Sequence, residues 1–207
     1  MKNEPKIQMT VTQRAKQVFE KAGGTLRAGQ ARSQGVHART IRILCETGAL
    51  VRISRGLYRL SDAPTISNPD LVVVAMKSPV SVICLISALY FHQLTTQIPH
   101  KVDIALPKGS RSPSFDYPPI QVYRFSPQSL NEGVETHNID GVQVQIFSAA
   151  KTVADCFKFR NKIGLDIAIE ALRTYCIKRV GTIDQLMQAS KINRVKHIMM
   201  PYIEATL

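Results

Sequence analysis

The first fifty residues carry hydrophobic positions at helical spacing. This spacing predicts an amphipathic helix over residues 11–22, with Thr12 as its N-cap. It also predicts a short second helix over residues 26–33 and a third helix over residues 37–47, which ends at Gly48. Short helices separated by glycine-containing turns are typical of a helix-turn-helix.

The third predicted helix has one apolar face and one basic face. At about 100° per residue, its core stripe consists of Ala38, Ile41, Leu44 and Cys45. Arg39, Thr40 and Arg42 fall outside this stripe, so we expect them to face a partner. In a helix-turn-helix such positions read base edges in the major groove of DNA.

Residues 50–60 alternate between apolar and polar types around Arg55-Gly56. This alternation predicts a tight β-hairpin whose inward residues are Val51, Ile53, Leu57 and either Tyr58 or Leu60. A hairpin directly after the third helix would form the wing of a winged helix-turn-helix. We expect its outward arginines to contact DNA together with two residues of the second helix; the set is Arg52, Arg55, Arg59, Arg27 and Gln30.

The remainder of the chain is predicted to be a second, larger domain. Turn residues at Ala63-Pro64 and Asn68-Pro69 indicate a linker, which divides the chain into domains 1–65 and 66–207. After it, short apolar periodicity predicts helices over residues 71–76 and 80–94. Strands are predicted over residues 101–106, 120–125, 134–139 and 142–147, the last two joined by an Asp140-Gly141 turn.

Helical patterns then extend over residues 149–159, 165–178, 182–189 and 194–207. The order of helices, strands and helices predicts an α+β fold. We therefore expect a winged helix-turn-helix followed by a larger α+β domain, with a small, mostly antiparallel sheet and C-terminal helices.

The charge distribution supports a polyanionic partner for the first domain. The chain has 27 lysines and arginines against 15 acidic residues, a net charge of +12. Residues 1–62 contain twelve of these cations and four of the acids, so most of the excess lies in the predicted winged helix. Basic residues that neutralise phosphates release counterions from a duplex. No cluster of aromatic residues offers a stacking platform for RNA, so duplex DNA is favoured.

Several other classes of protein are disfavoured. No basic segment followed by an apolar run marks a secretory signal, and the apolar stretch 71–91 is broken by Lys77 and Ser78-Pro79. The four cysteines form no CxxC pair, so we expect a cytoplasmic protein without structural zinc. Walker, GxSxG and HExxH motifs are absent from the sequence.

The best enzymatic candidate is a metal-dependent nuclease built on Asp103 and Lys108. Such a site needs a second carboxylate directly before the lysine, and Pro107 stands there instead. We therefore expect no enzymatic activity, no cofactor and no metal. The segment 151–155 is interpreted as a helix start, with Asp155 favouring the positive helix end.

Four strings in order resemble the AbiEi family, the antitoxins of type IV abortive-infection toxin–antitoxin systems. They are GALVRISRGLYRL at residues 48–60, ISALYFHQLT at 86–95, VDIALPKG at 102–109 and AKTVADC at 150–156. The resemblance implies a winged helix that represses its own operon at inverted repeats, with two copies per operator. It also implies phage defence through a second domain that counteracts a nucleotidyltransferase-like toxin without a stable complex.

For the antitoxin surface we expect basic residues of an exposed loop and of a helix end: Lys108, Arg111, Lys158, Arg160 and Lys162. The alternative is a stand-alone winged-helix regulator, whose second domain senses a ligand or forms a dimer. No membrane partner is expected in either case.

Overall fold

A computed structural model describes residues 9–63, 68–114 and 116–206. The chain divides into two compact units: Met1–Pro69 with Asn138–Val142, and Asp70–His137 with Gln143–Leu207. The predicted boundary between residues 65 and 66 lies outside the described residues.

Within residues 9–63, the first unit contains three helices and a small antiparallel sheet. Its elements in order are α1 (Val11–Lys21), β1 (Thr25–Arg27), α2 (Ala28–Ser33), α3 (Ala38–Glu46), β2 (Leu50–Ser54) and β3 (Leu57–Leu60). Three helices followed by a hairpin confirm the predicted winged helix-turn-helix architecture. A core of apolar residues from all three helices and the sheet, including Phe19, Ile41 and Leu60, holds the unit together.

The cap of α1 and the start of α2 differ from the prediction, whereas α1 begins at Val11 as predicted. The N-cap of α1 is Thr10 rather than Thr12. The Thr10 hydroxyl accepts a hydrogen bond from the Gln13 N–H at 3.2 Å, and the Thr10 N–H donates one to the Gln13 side-chain oxygen at 2.8 Å. Leu26 and Arg27 belong to β1 rather than to α2. A strand of three residues has no pattern of its own and exists through its pairing with β3.

The wing hairpin turns at Arg55-Gly56, as predicted, and Gly56 has a φ of +73° that favours glycine. β3 is the middle strand of the sheet, between β1 and β2. The register shifts between Arg52 and Ser54, and this bulge interrupts the alternation along β2. Before the bulge, Leu50 is buried and Val51, the next residue, points to the other face of the strand. Val51 is therefore exposed, so its predicted inward position is wrong.

The second unit surrounds a five-stranded sheet with helices. Its first elements are α4 (Pro69–Lys77), β4 (Val82–Ile83), α5 (Leu85–Phe91), β5 (Val102–Pro107), β6 (Ile120–Phe125), α6 (Pro127–Asn131), β7 (Val134–Ile139) and β8 (Val142–Phe147), of which Pro69 and the hairpin tip Asn138–Val142 are grouped with the first unit. They are followed by α7 (Ala149–Lys158), α8 (Arg160–Ile163), α9 (Leu165–Ile177), α10 (Ile183–Ile192) and α11 (Lys196–Glu204).

The sheet of the second unit is mixed, which corrects the prediction of a mostly antiparallel sheet. The strand order is β6-β5-β4-β8-β7, in which β5 pairs parallel with β6 and β4 pairs parallel with β8. The β4–β5 pair runs antiparallel, and the two-residue connection between β7 and β8 makes their pairing antiparallel as well. The long connection between β5 and β6 makes their parallel pairing possible, because a parallel pair needs a crossover rather than a tight turn.

The predicted helix over residues 80–94 is a strand followed by a shorter helix. Val82 and Ile83 form β4 in the middle of the sheet, and α5 begins only at Leu85. A segment that is buried on all sides carries no periodicity that separates the two structures. The β-branched pair decides here in favour of the strand.

α7 lies at the centre of the second unit and contacts α5, α9 and α10. Every residue from Ala150 to Phe157 is buried. This run includes Lys151 and Asp155, so two ionisable side chains lie inside the main apolar core.

Candidate nucleic-acid interface

The predicted recognition helix α3 is held by its apolar face. Ile41 and Leu44 are buried in the core of the first unit, and α3 contacts α1, α2 and β2. Its opposite side exposes Arg39, Arg42 and Ile43. The helix is thus fixed from one side, and its two arginines extend from the other.

The two arginines differ in their surroundings. Arg39 takes part in none of the ion pairs found among the described residues. The Arg42 Nε donates a hydrogen bond to Glu46 Oε1 at 2.7 Å, with side chains 81% and 58% exposed. Such an exposed pair contributes little in water, so a phosphate or a guanine edge can replace Glu46.

Thr40 was predicted to contact DNA, and the structure contradicts this. Only 7% of Thr40 is exposed, because it lies beside Ile41 on the core side of α3. Ala38, in turn, is exposed although it was assigned to the core stripe. The buried face of α3 is therefore rotated toward Thr40 relative to the sequence-based stripe.

The residues predicted from α2 lie at its first turns. The Arg27 N–H donates to Gln30 Oε1 at 3.0 Å, which closes the start of α2. Gln30 is exposed and Arg27 is half-buried. Both remain candidates for contacts to the DNA backbone.

The wing presents two of its three arginines to solvent. Arg55 lies exposed at the hairpin turn, and Arg52 lies exposed on β2. The Arg52 Nε donates to the Ser54 carbonyl at 3.3 Å, which holds the side chain along its own strand. Arg39, Arg42, Arg52 and Arg55 are therefore the exposed cations of the predicted interface.

Arg59 does not belong to this exposed set, contrary to the prediction. It is 6% exposed on the middle strand β3, and its Nη1 donates to Thr25 Oγ1 at 2.6 Å. A guanidinium in this position holds β1 against β3. It cannot reach a phosphate without leaving the fold.

In the second unit, three of the five predicted antitoxin residues line one cavity of about 410 Å³. Lys108, Lys158 and Lys162 meet there, and Arg124 joins them; these four cations define the cationic pocket. Arg111 is exposed in the loop between β5 and β6. The Arg160 Nη1 donates a hydrogen bond to the Phe157 carbonyl at 2.8 Å. The structure does not place these last two residues in the lining.

Arg124 was missed from the sequence, although the strand pairing explains its position. β5 and β6 are parallel and in register, with Leu106 opposite Arg124 and Pro107 opposite Phe125. The carboxyl ends of parallel strands meet at one edge of a sheet. Arg124 therefore lies next to the start of the loop that carries Lys108.

A buried polar network lies behind the cationic pocket and was also missed. Lys151 Nζ contacts both carboxylate oxygens of Asp155 at 2.6 Å, and Asn193 Nδ2 donates to Asp155 Oδ1 at 2.7 Å. Ser129 Oγ donates to Asn193 Oδ1 at 2.9 Å and lies 3.5 Å from Lys158 Nζ. Burial raises the pKa of Asp155, against the opposing effect of the Lys151 ammonium.

The helix-start interpretation of segment 151–155 is only partly right. Ser148 caps α7 by accepting a hydrogen bond from the Lys151 N–H at 3.3 Å. Asp155, however, lies in the second turn and serves as the partner of Lys151. The spacing of four residues was the available signal, since it places both side chains on one helix face.

Asp103, on which the nuclease alternative was based, has a structural role at the start of α5. Its Oδ2 accepts a hydrogen bond from the Ile86 N–H at 3.1 Å, which caps the start of α5. Burial raises the pKa of Asp103 to about 7, against the opposing hydrogen bonds from the backbone of Ile86 and Ser87. Within residues 9–63, 68–114 and 116–206, no group of three potential ligands could hold a metal ion.

Neither the buried cysteines nor any described helix indicates a further site or a membrane span. Burial raises the pKa of Cys84 and Cys156 well above the ordinary thiol value. Among the described residues, none of the helices is both long enough and apolar enough to cross a bilayer.

Comparison with known proteins bears on the first unit most directly. Residues 13–61 match a family model described as "Transcriptional regulator, AbiEi antitoxin". This match confirms the AbiEi resemblance for the first unit, where it covers most of α1, all of α2 and α3, and the wing. A comparison with curated proteins gave no match.

A solved structure shares the fold over most of the chain. It is the crystal structure of the RV2827C protein from Mycobacterium tuberculosis, with a TM-score of 0.60 and 12% sequence identity. The similarity covers 95% of this chain and 81% of that chain. It extends across both units and shows a common fold.

Proposed function

Starting from the AbiEi match of its first unit, we propose that the protein is an antitoxin of a type IV toxin–antitoxin pair. It represses its own operon by binding inverted repeats in duplex DNA, with two copies per operator. It also counteracts a nucleotidyltransferase-like toxin without forming a stable complex with it.

One observation carries the DNA-binding part of this proposal. Within the segment that matches the family model, four arginines are exposed to solvent. Arg39 and Arg42 lie on α3, and Arg52 and Arg55 lie in the wing. Arginine is suited to both tasks at such an interface, since it pairs in a bidentate manner with guanine and with phosphate.

In this proposal, α3 and the wing make different kinds of contact with DNA. α3 enters the major groove, where Arg39 and Arg42 contact base edges and discriminate between sequences. Arg52 and Arg55 of the wing contact phosphates and contribute affinity that is independent of sequence. Gln30 and Arg27 add backbone contacts from α2.

The antitoxin activity is assigned to the second unit. Its cationic pocket brings Lys108, Lys158 and Lys162 together, and these belong to the residues expected on the antitoxin surface. The wing arginines lie in the first unit, outside the second unit and its own apolar core. Repression and toxin rescue should therefore respond to different substitutions.

This separation can be tested in cells with Arg52→Gln/Arg55→Gln in the full chain. The variant should derepress a reporter driven by the operon's own promoter, because two phosphate contacts are lost. Supplied from a heterologous promoter, it should still rescue growth when the gene next to its own is co-expressed. A matched control is Lys191→Gln/Lys196→Gln, which removes the same charge from exposed positions of the second unit.

Loss of rescue together with repression, in a variant that stays folded by circular dichroism, would contradict the two-surface arrangement. Repression that is unchanged in the wing variant would contradict the DNA-binding role of the wing.

The second candidate function is a stand-alone regulator whose second unit binds a ligand. The cationic pocket favours it, because a cavity lined by unpaired cations is suited to a small anion. Co-expression separates the two candidates. Rescue from the neighbouring gene product supports the antitoxin, and the absence of any toxic neighbour supports the regulator.

A further inference from the structure

The cationic pocket is unusual in its charge. Its four cations, Lys108, Arg124, Lys158 and Lys162, converge on one cavity whose lining contains no carboxylate among the described residues. None of the ion pairs found in the described part of the chain involves any of them. Like charges held close together repel each other, so the arrangement is unfavourable until an anion enters.

Lys158 is half-buried in the pocket, and the charge of Lys108, another pocket cation, acts on it. Burial lowers the pKa of Lys158, and the nearby charges of Lys151, Lys108 and Arg194 lower it further. The buried Asp155 carboxylate opposes this effect from behind the pocket. Lys158 Nζ also lies 3.5 Å from Ser129 Oγ, which ties it to the buried network.

The pocket is also preorganised. The Arg124 Nη1 donates to the Pro107 carbonyl at 3.1 Å and to Ser110 Oγ at 2.6 Å, and its Nη2 donates to Ser112 Oγ at 2.7 Å. These bonds fix the guanidinium and fasten the loop that starts at Lys108. Groups that are already in place lose little conformational entropy when a ligand binds.

We propose that the cationic pocket binds an oligophosphate, meaning a chain of two or three linked phosphoryl groups. Four cations in a cavity of about 410 Å³ exceed what one phosphate can satisfy, and they match the several charges of such a chain. Ser126 and Asn161 supply polar groups in the same lining. Among the described residues, Phe159 is the one apolar lining side chain, so the phosphoryl groups rather than a base provide the recognition.

Two kinds of ligand carry such a chain of phosphoryl groups: inorganic oligophosphate and a nucleotide. The assignment does not depend on the antitoxin proposal, because binding is measured with the protein alone. Failure of oligophosphate binding is therefore distinguishable from failure of repression or of toxin rescue.

The experiment is isothermal titration calorimetry of the full chain with inorganic triphosphate and, in parallel, with ATP and GTP. We expect saturable one-to-one binding, with similar affinity for all three compounds. Lys108→Gln/Lys162→Gln should weaken binding by roughly tenfold or more, because two charge-assisted contacts are removed from exposed side chains that the core does not need.

Two controls define the site. Lys191→Gln/Lys196→Gln removes the same charge elsewhere on the second unit and should bind triphosphate as the parent protein does. Arg52→Gln/Arg55→Gln should also keep full affinity, since the wing is not part of the pocket.

Three results would overturn the proposal. The first is the absence of saturable triphosphate binding. The second is equal weakening in the pocket variant and in the Lys191/Lys196 control, which indicates attraction by net charge. The third is binding of the nucleotides without binding of inorganic triphosphate. If triphosphate fails to bind while the pocket variant loses affinity for duplex DNA, the pocket belongs to a nucleic-acid footprint instead.

Discussion

Arg59 and Thr25 face each other directly across the antiparallel pair of β3 and β1, and the Arg59 Nη1 donates a hydrogen bond of 2.6 Å to the Thr25 hydroxyl. Both residues are almost fully buried. An arginine in a basic wing thus has a structural role, while its neighbours Arg52 and Arg55 are exposed.

We predict that Arg59→Ala destabilises the protein and that Arg55→Ala does not. Removing the buried guanidinium leaves Thr25 Oγ1 without this donor, which should lower the free energy of unfolding by about 1–3 kcal/mol. Urea denaturation of the two variants measures the difference. Equal stability of both would show that the Arg59 contact contributes nothing to the fold.

The wing shows how far local sequence signals reach. The hairpin at Arg55-Gly56 could be predicted because a tight turn is encoded by adjacent residues. The strand β1 could not, since Thr25–Arg27 becomes a strand only by pairing with β3 more than thirty residues later. Without β1, the sequence offered no reason to bury Arg59, so the prediction placed it outside.

The same limit applies to the second unit. Strands β6, β7 and β8 were predicted with their observed bounds, because alternation and the Asp140-Gly141 turn are local signals. The parallel register of β5 and β6 is not local, and it alone brings Arg124 to Lys108. The spacing of Lys151 and Asp155 was visible in the sequence, but the burial of the pair could be predicted only by knowing that α7 is enclosed on every side.

The recognition helix gives a second prediction. Arg39→Ala and Arg42→Ala should each reduce the preference for the operator over a scrambled duplex, by about 1–3 kcal/mol where a bidentate guanine contact is lost. Gel-shift titration with both duplexes measures this preference. Arg173→Ala, an exposed arginine of α9, serves as the control. Unchanged discrimination in both α3 variants would exclude α3 as the reading element.

The buried pair gives a third prediction. Lys151→Met should destabilise the second unit by about 3–5 kcal/mol, because Asp155 is left as a buried carboxylate without its partner. Lys151→Met/Asp155→Asn should be more stable than the single variant, since the unpaired charge is removed. Chemical denaturation of both variants tests this order. A double variant that is less stable than Lys151→Met would contradict the burial of an ion pair.

Asp103 gives a prediction on pH dependence. Its pKa is raised to about 7 in the folded state, so the folded protein binds a proton that the unfolded chain releases near pH 4. The contribution of Asp103 is therefore fully present below about pH 4 and is lost as the pH rises toward 7. The slope approaches about 1.4 kcal/mol per pH unit as an upper limit.

Asp103→Asn keeps an oxygen that can accept the Ile86 N–H, and it removes the titration. The stability of this variant relative to the parent protein should rise between about pH 4 and 7 and then level off. Thermal unfolding across this range measures the difference. A difference that does not change with pH would show that Asp103 is already ionised in the folded protein.

The most direct test of DNA binding by the first unit is the salt dependence of operator affinity for Arg52→Gln/Arg55→Gln. Each phosphate contact contributes a slope of about −0.9 to log K against log salt, so the variant should lose about 1.8 from the slope. The control Lys191→Gln/Lys196→Gln carries the same net charge and should keep the parent slope. An unchanged slope in the wing variant, or an equal loss in the control, would contradict phosphate binding by the wing.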